Sequence, residues 1–287
     1  MEERVTIPQL IEMKAQHQRI AMLTAYDAPM GRLLDEAGVD VVLVGDSLGM
    51  VVLGYESTTP VTMEEMLHHA KAARRGVKRA LLVGDMPFLS FHGTLEETIR
   101  NAGRFIKEAG CDAVKVEWKH GIEDVVKAIS DAGIPVMGHV GLTPQTAQAE
   151  GGFKVRGKEA ASAARIIAQA VALQEVGCFA LVLECIPDVV AEEITQRLSI
   201  PTIGIGAGVS CDGQVLVTHD VLGLFDRFRP KFVQAYAELA GTIRQAASAY
   251  VADVRSGRFP TPLQSFTMNA DELAVLKREL GSGDVLR

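Results

Sequence analysis

The chain is poor in cysteine, in aromatic residues and in long apolar runs. Its 287 residues include 4 cysteines, 11 prolines and a single tryptophan, and aromatic residues make up 5% of the total. No two cysteines form a CxxC pair, so the spacing indicates neither a zinc knuckle nor a disulfide framework. No apolar stretch approaches the roughly 18 residues that span a bilayer. The pattern favours a reducing compartment and gives no sign of a membrane protein.

Basic runs are also missing. The net charge is -7, and no long run of Lys and Arg offsets it. We therefore expect binding neither to nucleic acid nor to a membrane surface. The first residues, MEERVTIPQLIEMKAQ, are charged and amphipathic and lack the apolar core of a signal peptide. We expect a cytoplasmic protein.

Short apolar runs alternate with helical patterns along the chain. Hydrophobic residues make up 48% of the sequence, enough for a large core. Several helices end in a glycine just before the next apolar run, the usual left-handed end of a helix. Runs that are apolar on both faces, joined by helices, indicate a buried parallel sheet. The pattern predicts a single (β/α)8 TIM barrel, with strands at 20–26, 39–46, 80–85, 113–117, 134–140, 180–185, 201–206 and 214–218.

The end of the chain departs from this repeat. The connection at 207–213 is too short for a full helix, and a long helical region is predicted at about 230–256. We expect residues 1–260 to form the catalytic barrel with its N-terminal and C-terminal helices. Residues 261–287 are predicted to be a polar, weakly ordered tail, loosest at TPLQSFTMN and at the final GSGD.

Four of the apolar runs end in an acidic residue, namely Asp46, Asp85, Glu117 and Glu184. In a parallel barrel the carboxyl ends of the strands meet at one mouth. Four carboxylates there would suit a divalent cation and an acid–base group. A single aspartate after a strand is more often a turn residue, but Val-Gly-Asp occurs at the end of two consecutive strands. The sequence therefore predicts an enzyme.

A lysine lies close to one of these carboxylates. Lys115 and Glu117 are two residues apart, so they share one face of a strand. If that face points into the barrel, both are buried, which is costly unless they are paired or bind a ligand. Pairing with each other is the alternative to a ligand site.

Several longer motifs identify a family. The segments VLVGDSLGMVVLGYESTTPVT, GDMPF, AVKVE, GHVGLTPQ, LVLECIP and PTIGIGAGVSCDGQVLVTHD occur in order between Thr24 and Phe266. Together they resemble ketopantoate hydroxymethyltransferase. The resemblance implies a barrel of the phosphoenolpyruvate/pyruvate type that acts in pantothenate biosynthesis. It also implies transfer of a one-carbon unit from 5,10-methylenetetrahydrofolate to 2-oxoisovalerate (3-methyl-2-oxobutanoate), giving ketopantoate, and a homodecamer of two pentameric rings.

The resemblance also implies roles for individual residues. Asp46, Asp85 and Glu117 match the Mg²⁺ ligands, the last directly or through water. Glu184 matches the proposed catalytic base. The residues that match substrate contacts are Asp46, Ser47, Asp85, Lys115 and His139.

Enolate formation from a 2-oxoacid would need residues of these types. A 2-oxoacid can chelate Mg²⁺, which stabilises the enolate formed when the C3 proton leaves. Lys115 would add positive charge there, and Glu184 would take the proton. His139 could instead be a packing histidine. Cys185 is expected to face away from Glu184, in the core.

The glycine-rich stretch Gly204–Gly208 lacks the GxGxxG spacing of a nucleotide site, and close backbone approach beside a ligand explains it as well. His68 and His69 are expected to be surface or packing residues, and the pair His219-Asp220 gives a weak signal for the mouth. One segment departs from the family, because Leu263-Gln264-Ser265-Phe266 stands where Glu-His-Ser-Phe is usual.

Two other functions stay open at this point. One is a Mg²⁺-dependent lyase or mutase acting on another oxoacid, but those enzymes use a cysteine in a KKCGH-like loop, and the sequence has no such loop. The other is a catalytically silent barrel that binds a metabolite or assembles with other subunits. The presence of Asp46, Asp85 and Glu184 favours an enzyme over the silent barrel.

Overall fold

Eight parallel strands follow one another around a closed barrel, with the last strand pairing with the first. The structure is a computed structural model, and it describes residues 3–281 apart from 150 and 226. The predicted barrel is confirmed, and each predicted strand agrees with the structure to within a few residues. The strands are β1 (Ile20–Thr24), β2 (Val41–Val44), β3 (Leu81–Asp85), β4 (Ala113–Glu117), β5 (Val136–Gly141), β6 (Cys178–Glu184), β7 (Thr202–Ile205) and β8 (Gly213–Leu216).

Helices cover the outside of this sheet. Between β7 and β8 the chain passes without a helix, as the short connection predicted. The helices of the barrel unit are α1 (Ile7–Ala15), α2 (Ala28–Glu36), α3 (Leu48–Val51), α4 (Met63–Gly76), α5 (Leu95–Lys107), α6 (Ile122–Asp131), α7 (Ala160–Glu175), α8 (Asp188–Arg197) and α9 (Thr218–Val221).

The ends of these helices follow from the sequence. Thr62 and Thr94 begin α4 and α5, each in a capping box with the glutamate three residues later. Four glycines predicted to end helices, namely Gly38, Gly110, Gly133 and Gly177, all have positive φ, from 70° at Gly110 to 107° at Gly177. Only glycine adopts this conformation without strain, so the chain turns there from helix to strand.

Alternation along the strands creates two cores. Val83, Ala113 and Val182 belong to a cluster that fills the barrel, whereas Leu82, Val114 and Leu183 belong to a larger cluster between sheet and helices. Because side chains alternate between faces, every second residue from Val83, Ala113 or Val182 points inward. The inward series ends at Asp85, Glu117 and Glu184, which places these three at the mouth.

Within the described part of the chain, the residues after 237 form a second compact unit. It contains α10 (Leu239–Ser256), a 3-10 turn (Pro262–Gln264) and α11 (Ala270–Gly281). The helix expected from about 230 is wrong in its first turns, because the N–H groups of Tyr236 and Ala237 bond to the carbonyl of Val221 instead of continuing a helix.

The prediction of a weakly ordered tail is wrong for residues 270–281, which are helical. The prediction for 282–287 lies outside the described residues. The functional boundary at residue 260 stays a prediction. In the described part of the chain, no helix is long and apolar enough to cross a membrane.

Candidate active site

Strand register brings the predicted polar residues together at the mouth. Asp85 lies beside Lys115 across β3 and β4, and Glu117 lies beside His139 across β4 and β5. Glu184 ends the next strand, beside Gly141. Neighbouring side chains on one face of a sheet are in contact distance. Strand register therefore brings residues that are far apart in sequence together in one row of charged groups.

Lys115 is paired with Asp85. Its Nζ donates to both carboxylate oxygens of Asp85, at 2.7 and 2.8 Å, and both side chains are buried. The nearby carboxylates raise the pKa of Lys115 against the effect of its burial, so the ammonium stays charged. The alternative of a Lys115–Glu117 pair is replaced by this cross-strand pair, which the register explains.

Asp46 carries a second buried carboxylate of the site. Burial and the neighbouring charge of Asp85 raise the pKa of Asp46 to about 7. The backbone N–H of Asp46 donates to Oδ2 of Asp85 at 3.4 Å. Gln145 Nε2 donates to Oδ2 of Asp46 at 2.9 Å, which fixes that oxygen. The site thus holds two adjacent aspartates, Asp46 and Asp85, together with one buried lysine, Lys115.

His139 stands between two carboxylates. Its Nε2 lies 3.2 Å from Oε2 of Glu184, and its Nδ1 lies 3.6 Å from Oε1 of Glu117. Among the described residues neither ring nitrogen has a well-directed hydrogen bond. Burial first, and the charge of Lys115 second, lower the pKa of His139, so the ring is neutral. Burial also raises the pKa of Glu117 well above its ordinary value. Because both ring nitrogens lie near carboxylates, these contacts do not fit the alternative in which the ring of His139 is hydrogen-bonded to the backbone.

Ser47 has a tyrosine behind it. The hydroxyls of Ser47 and Tyr26 are 2.9 Å apart. Ser47 lines the cavity described below, whereas Tyr26 is buried behind its wall and packs against the ring of His219, with centroids 5.5 Å apart. Burial raises the pKa of the Tyr26 phenol, so it stays protonated. A phenol is a good donor to an aliphatic hydroxyl. Tyr26 therefore holds Ser47 in place.

The row of charged groups forms the floor of a cavity of about 470 Å³. Asp220 also lines this cavity, as the weak sequence signal indicated, and burial raises its pKa to about 6. Cys185 lines it too, against expectation, because a φ of +49° interrupts the strand alternation. Burial raises the pKa of Cys185 to about 12, so its thiol is a poor nucleophile.

The donors at the floor fit a hard divalent cation. Within the described ranges, no three or more His, Cys, Asp or Glu side chains are grouped at ligand spacing. Mg²⁺, however, is usually held by one or two carboxylates together with water and substrate oxygens. Asp46 and Asp85 are adjacent, buried and compensated by one lysine, and burial first and the charge of Asp85 second raise the pKa of Asp46. A cation bound at this pair would offset the excess negative charge.

Two residues of the site were missed from sequence. Gln145 links the acids, because its N–H donates to Glu117 at 3.0 Å while its side chain holds Asp46. It ends the quoted segment GHVGLTPQ, which was the available signal. Tyr26 was missed because nothing in the sequence shows that the end of β1 faces Ser47. His68 is exposed and His69 bonds to the carbonyl of Tyr26 at 2.7 Å, so the surface-or-packing prediction is confirmed.

Comparisons with solved structures agree with this barrel. A phosphoenolpyruvate phosphomutase from Streptomyces platensis matches with a TM-score of 0.60 at 15% identity, covering 98% of this chain and 99% of its own. A 2,3-dimethylmalate lyase of the PEP mutase/isocitrate lyase superfamily matches with a TM-score of 0.55 at 14% identity, covering 96% and 99%. At such identities the likeness concerns the fold alone, and it agrees with the predicted (β/α)8 barrel.

Sequence comparisons are more specific. The 3-methyl-2-oxobutanoate hydroxymethyltransferase of Moorella thermoacetica is 58% identical over 263 residues, 92% of this chain and 98% of its own. That of Carboxydothermus hydrogenoformans is 55% identical over 266 residues, 93% and 96%. The profile of ketopantoate hydroxymethyltransferase matches residues 4–262. The chain therefore belongs to the ketopantoate hydroxymethyltransferase family.

Proposed function

We propose that this hydroxymethyltransferase acts through an enolate of 3-methyl-2-oxobutanoate, formed and held at the floor of the cavity. The observation that carries the proposal is the placement of Glu184 at one end of the charged row and the Lys115–Asp85 pair at the other. A base and a fixed positive charge on either side of a small ligand suit removal of a proton next to a carbonyl. The co-substrate is 5,10-methylenetetrahydrofolate, in keeping with the family.

The oxoacid binds at the two aspartates. Asp46 and Asp85 would hold Mg²⁺, with Glu117 in reach directly or through water. When bound, the ion supplies Lewis-acid polarisation of the keto group and charge for the enolate oxygen. Ser47, oriented by Tyr26, donates to an oxygen of the substrate. Lys115 lies beside the same aspartates and contributes a fixed ammonium charge where negative charge develops.

Glu184 takes the proton from C3. Its carboxylate is close to the neutral ring of His139, which can donate a hydrogen bond to it and so fix its direction. The carbon at C3 then forms a bond to the methylene carbon of the folate. The bonds from that carbon to the two folate nitrogens break, water supplies the hydroxyl oxygen, and the nitrogens gain protons. The products are ketopantoate and tetrahydrofolate.

The assembly and location proposed from the family are a homodecamer in the cytoplasm. Support for an oligomer comes from the second compact unit, whose helices α10 and α11 contain no buried residue. Large apolar side chains are exposed there, among them Ile243, Tyr250 and Leu280. Exposed apolar surface of this kind is typical of contacts between proteins. The low cysteine content supports a reducing compartment.

Turnover with labelled folate tests the proposal. Methylenetetrahydrofolate labelled with ¹³C at its methylene carbon is incubated with 3-methyl-2-oxobutanoate, and the product is followed by ¹³C NMR. We expect the label in a new hydroxymethyl group attached to a quaternary carbon. The reaction should stop with EDTA and return with Mg²⁺. Label in another product, or an unchanged rate with EDTA, would contradict the proposed chemistry.

A further inference from the structure

Gln145 lies on the loop after β5 and reaches three other strands. Its backbone N–H donates to Oε2 of Glu117, at the end of β4, at 3.0 Å. Its side-chain Nε2 donates to Oδ2 of Asp46 and to the carbonyl of Met86, each at 2.9 Å. Asp46 follows β2 and Met86 follows β3. One residue thus connects the ends of the three strands that carry Asp46, Asp85 and Glu117.

The orientation of the Gln145 amide follows from its neighbours. Both groups bonded to Nε2, a carboxylate oxygen and a carbonyl oxygen, are acceptors. Turning the amide over would place its oxygen against them, so the nitrogen faces Asp46. In this orientation Oε1 is buried and has no hydrogen-bond partner among the described residues. An unsatisfied buried acceptor lowers stability, so packing alone does not explain an amide at this position.

The loop that carries Gln145 is held in place on both sides. Before it, the N–H of Leu142 donates to the carbonyl of Glu184 at 2.9 Å. Around it, the N–H of Thr146 donates to the carbonyl of Thr143 at 3.1 Å, and the hydroxyls of these two threonines are 2.7 Å apart. Gln145 itself is buried. A side chain on a backbone supported in this way can hold its partner in one orientation.

The two aspartates of the floor are held by different kinds of donor. Lys115 bonds to both carboxylate oxygens of Asp85 and supplies a positive charge. Gln145 bonds to one oxygen of Asp46 and supplies no charge. A neutral donor fixes the direction of a carboxylate without offsetting its negative charge, which stays available to a cation.

We propose that Gln145 is a positioning residue for the cation, acting through Asp46 and Glu117. The proposal rests on the proposed function, which places Mg²⁺ at Asp46 and Asp85. Groups that orient the ligands of a metal contribute roughly ten- to hundredfold to its affinity. Gln145 should therefore determine how tightly the cation binds, and not how fast the reaction runs once the cation is bound.

Cation binding without turnover tests this role. Mn²⁺, which prefers the same oxygen ligands as Mg²⁺, is titrated into the metal-free protein with the oxoacid present and folate absent, and the free ion is followed by EPR. Gln145→Met keeps the length of the side chain and the backbone N–H but removes the amide. The Kd for Mn²⁺ should rise roughly ten- to hundredfold in this variant. Gln145→Asn should show the same rise, because its shorter amide does not reach Asp46.

Gln174→Met is the matched control. The side-chain oxygen of Gln174 accepts from the N–H groups of Ser199 and Ile200, and this residue does not line the cavity. The variant also loses buried amide contacts, so it should lower the unfolding temperature but leave the Kd for Mn²⁺ unchanged. An equal rise of the Kd in Gln174→Met would show that general loss of stability, and not Gln145, weakens the cation.

Kinetics separate a positioning role from a direct one. In Gln145→Met the Mg²⁺ concentration for half-maximal rate should rise with the Kd, while kcat at saturating Mg²⁺ stays within about threefold of the parent value. A low kcat that saturating Mg²⁺ does not restore, or an unchanged Kd for Mn²⁺ in both Gln145 variants, would overturn the proposal. A parent enzyme that binds no Mn²⁺ would contradict the cation of the proposed function itself. Normal binding by the parent with an unchanged Kd in the variants would contradict only the role of Gln145.

Discussion

The Nε2 atom of His139 lies 3.2 Å from Oε2 of Glu184, and the opposite nitrogen of the same ring lies 3.6 Å from Oε1 of Glu117. The neutral ring has a single N–H, so it can donate to one of these carboxylates at a time. The ring lies between Glu184, the proposed base, and Glu117, which is on the side of the proposed Mg²⁺ ligands. Glu184 therefore has a close neighbour that supplies no positive charge, which suits a proton acceptor.

Removing the buried ammonium should destabilise the protein strongly. In Lys115→Met the buried carboxylate of Asp85 loses its partner, and we expect a loss of about 3–5 kcal/mol in the free energy of unfolding. Lys127→Met is the matched control, because its pair with Asp131 is about two-thirds exposed and should contribute less than about 1 kcal/mol. Urea unfolding at neutral pH measures both. Equal losses in the two variants would contradict the buried pair.

Tyr26 should act through Ser47. In Tyr26→Phe, Ser47 loses its hydrogen-bond partner, and we expect the KM for the oxoacid to rise roughly three- to tenfold, with kcat changed much less. The effect should vanish when Ser47 is already alanine, since there is no hydroxyl left to orient. Steady-state kinetics of the two single variants and the double variant form the test. An effect of Tyr26→Phe that is undiminished in the Ser47→Ala background would show that Tyr26 works in another way.

Stability should depend on pH through Asp220. Burial raises its folded pKa to about 6 from an ordinary 3.8. Between these values the folded state keeps a proton that the unfolded state loses, so this group's contribution to stability falls as pH rises toward 6 and stays low above it. Asp220→Asn should therefore stabilise the protein at pH 7.5, by about 1–2 kcal/mol because the side chain is only half-buried. Thermal unfolding should show no difference near pH 3.5, and a gain that is equal at both pH values would refute the assignment.

The glycine before Asp85 is needed for packing. A Cβ atom on Gly84 would overlap the ring of Phe105, which packs from α5 onto β3. Gly84→Ala should cost about 1–3 kcal/mol of stability through overpacking. Gly103→Ala in the same helix meets nothing within 4 Å and should instead stabilise by about 0.5–1 kcal/mol. Chemical unfolding of both variants gives the comparison, and a neutral Gly84→Ala would contradict the tight contact.

The barrel and the floor of the site could be predicted because both depend on local pattern. The strand runs, the glycines that end helices, and the acids at strand ends are each visible in a few residues. The inward series along a strand then places Glu117 and Glu184 correctly. The partner of Lys115 could not be predicted, because the choice of Asp85 depends on the register between β3 and β4. The same holds for Gln145, whose reach to Asp46 depends on the path of a loop.

The phenylalanines that line the cavity could not be predicted from the sequence for a different reason. Phe225, Phe228 and Phe232 lie in a stretch without regular periodicity. A helix was expected from about residue 230, whereas α10 begins at Leu239. The path of this stretch is closed by backbone bonds of Tyr236 and Ala237 to Val221, which are tertiary contacts that the sequence pattern does not show. Cys185 illustrates the same limit, since a single positive φ reversed the direction that alternation predicts.

Proton exchange at C3 of 3-methyl-2-oxobutanoate tests the central claim most directly. The oxoacid is incubated in D₂O with enzyme and Mg²⁺, with and without tetrahydrofolate, and the C3 signal is followed by ¹H NMR. We expect exchange that requires Mg²⁺, is lost in Glu184→Gln and persists in Glu192→Gln, an exposed glutamate on α8. Exchange that persists at the parent rate in Glu184→Gln, or no exchange in the parent enzyme under either condition, would contradict the account.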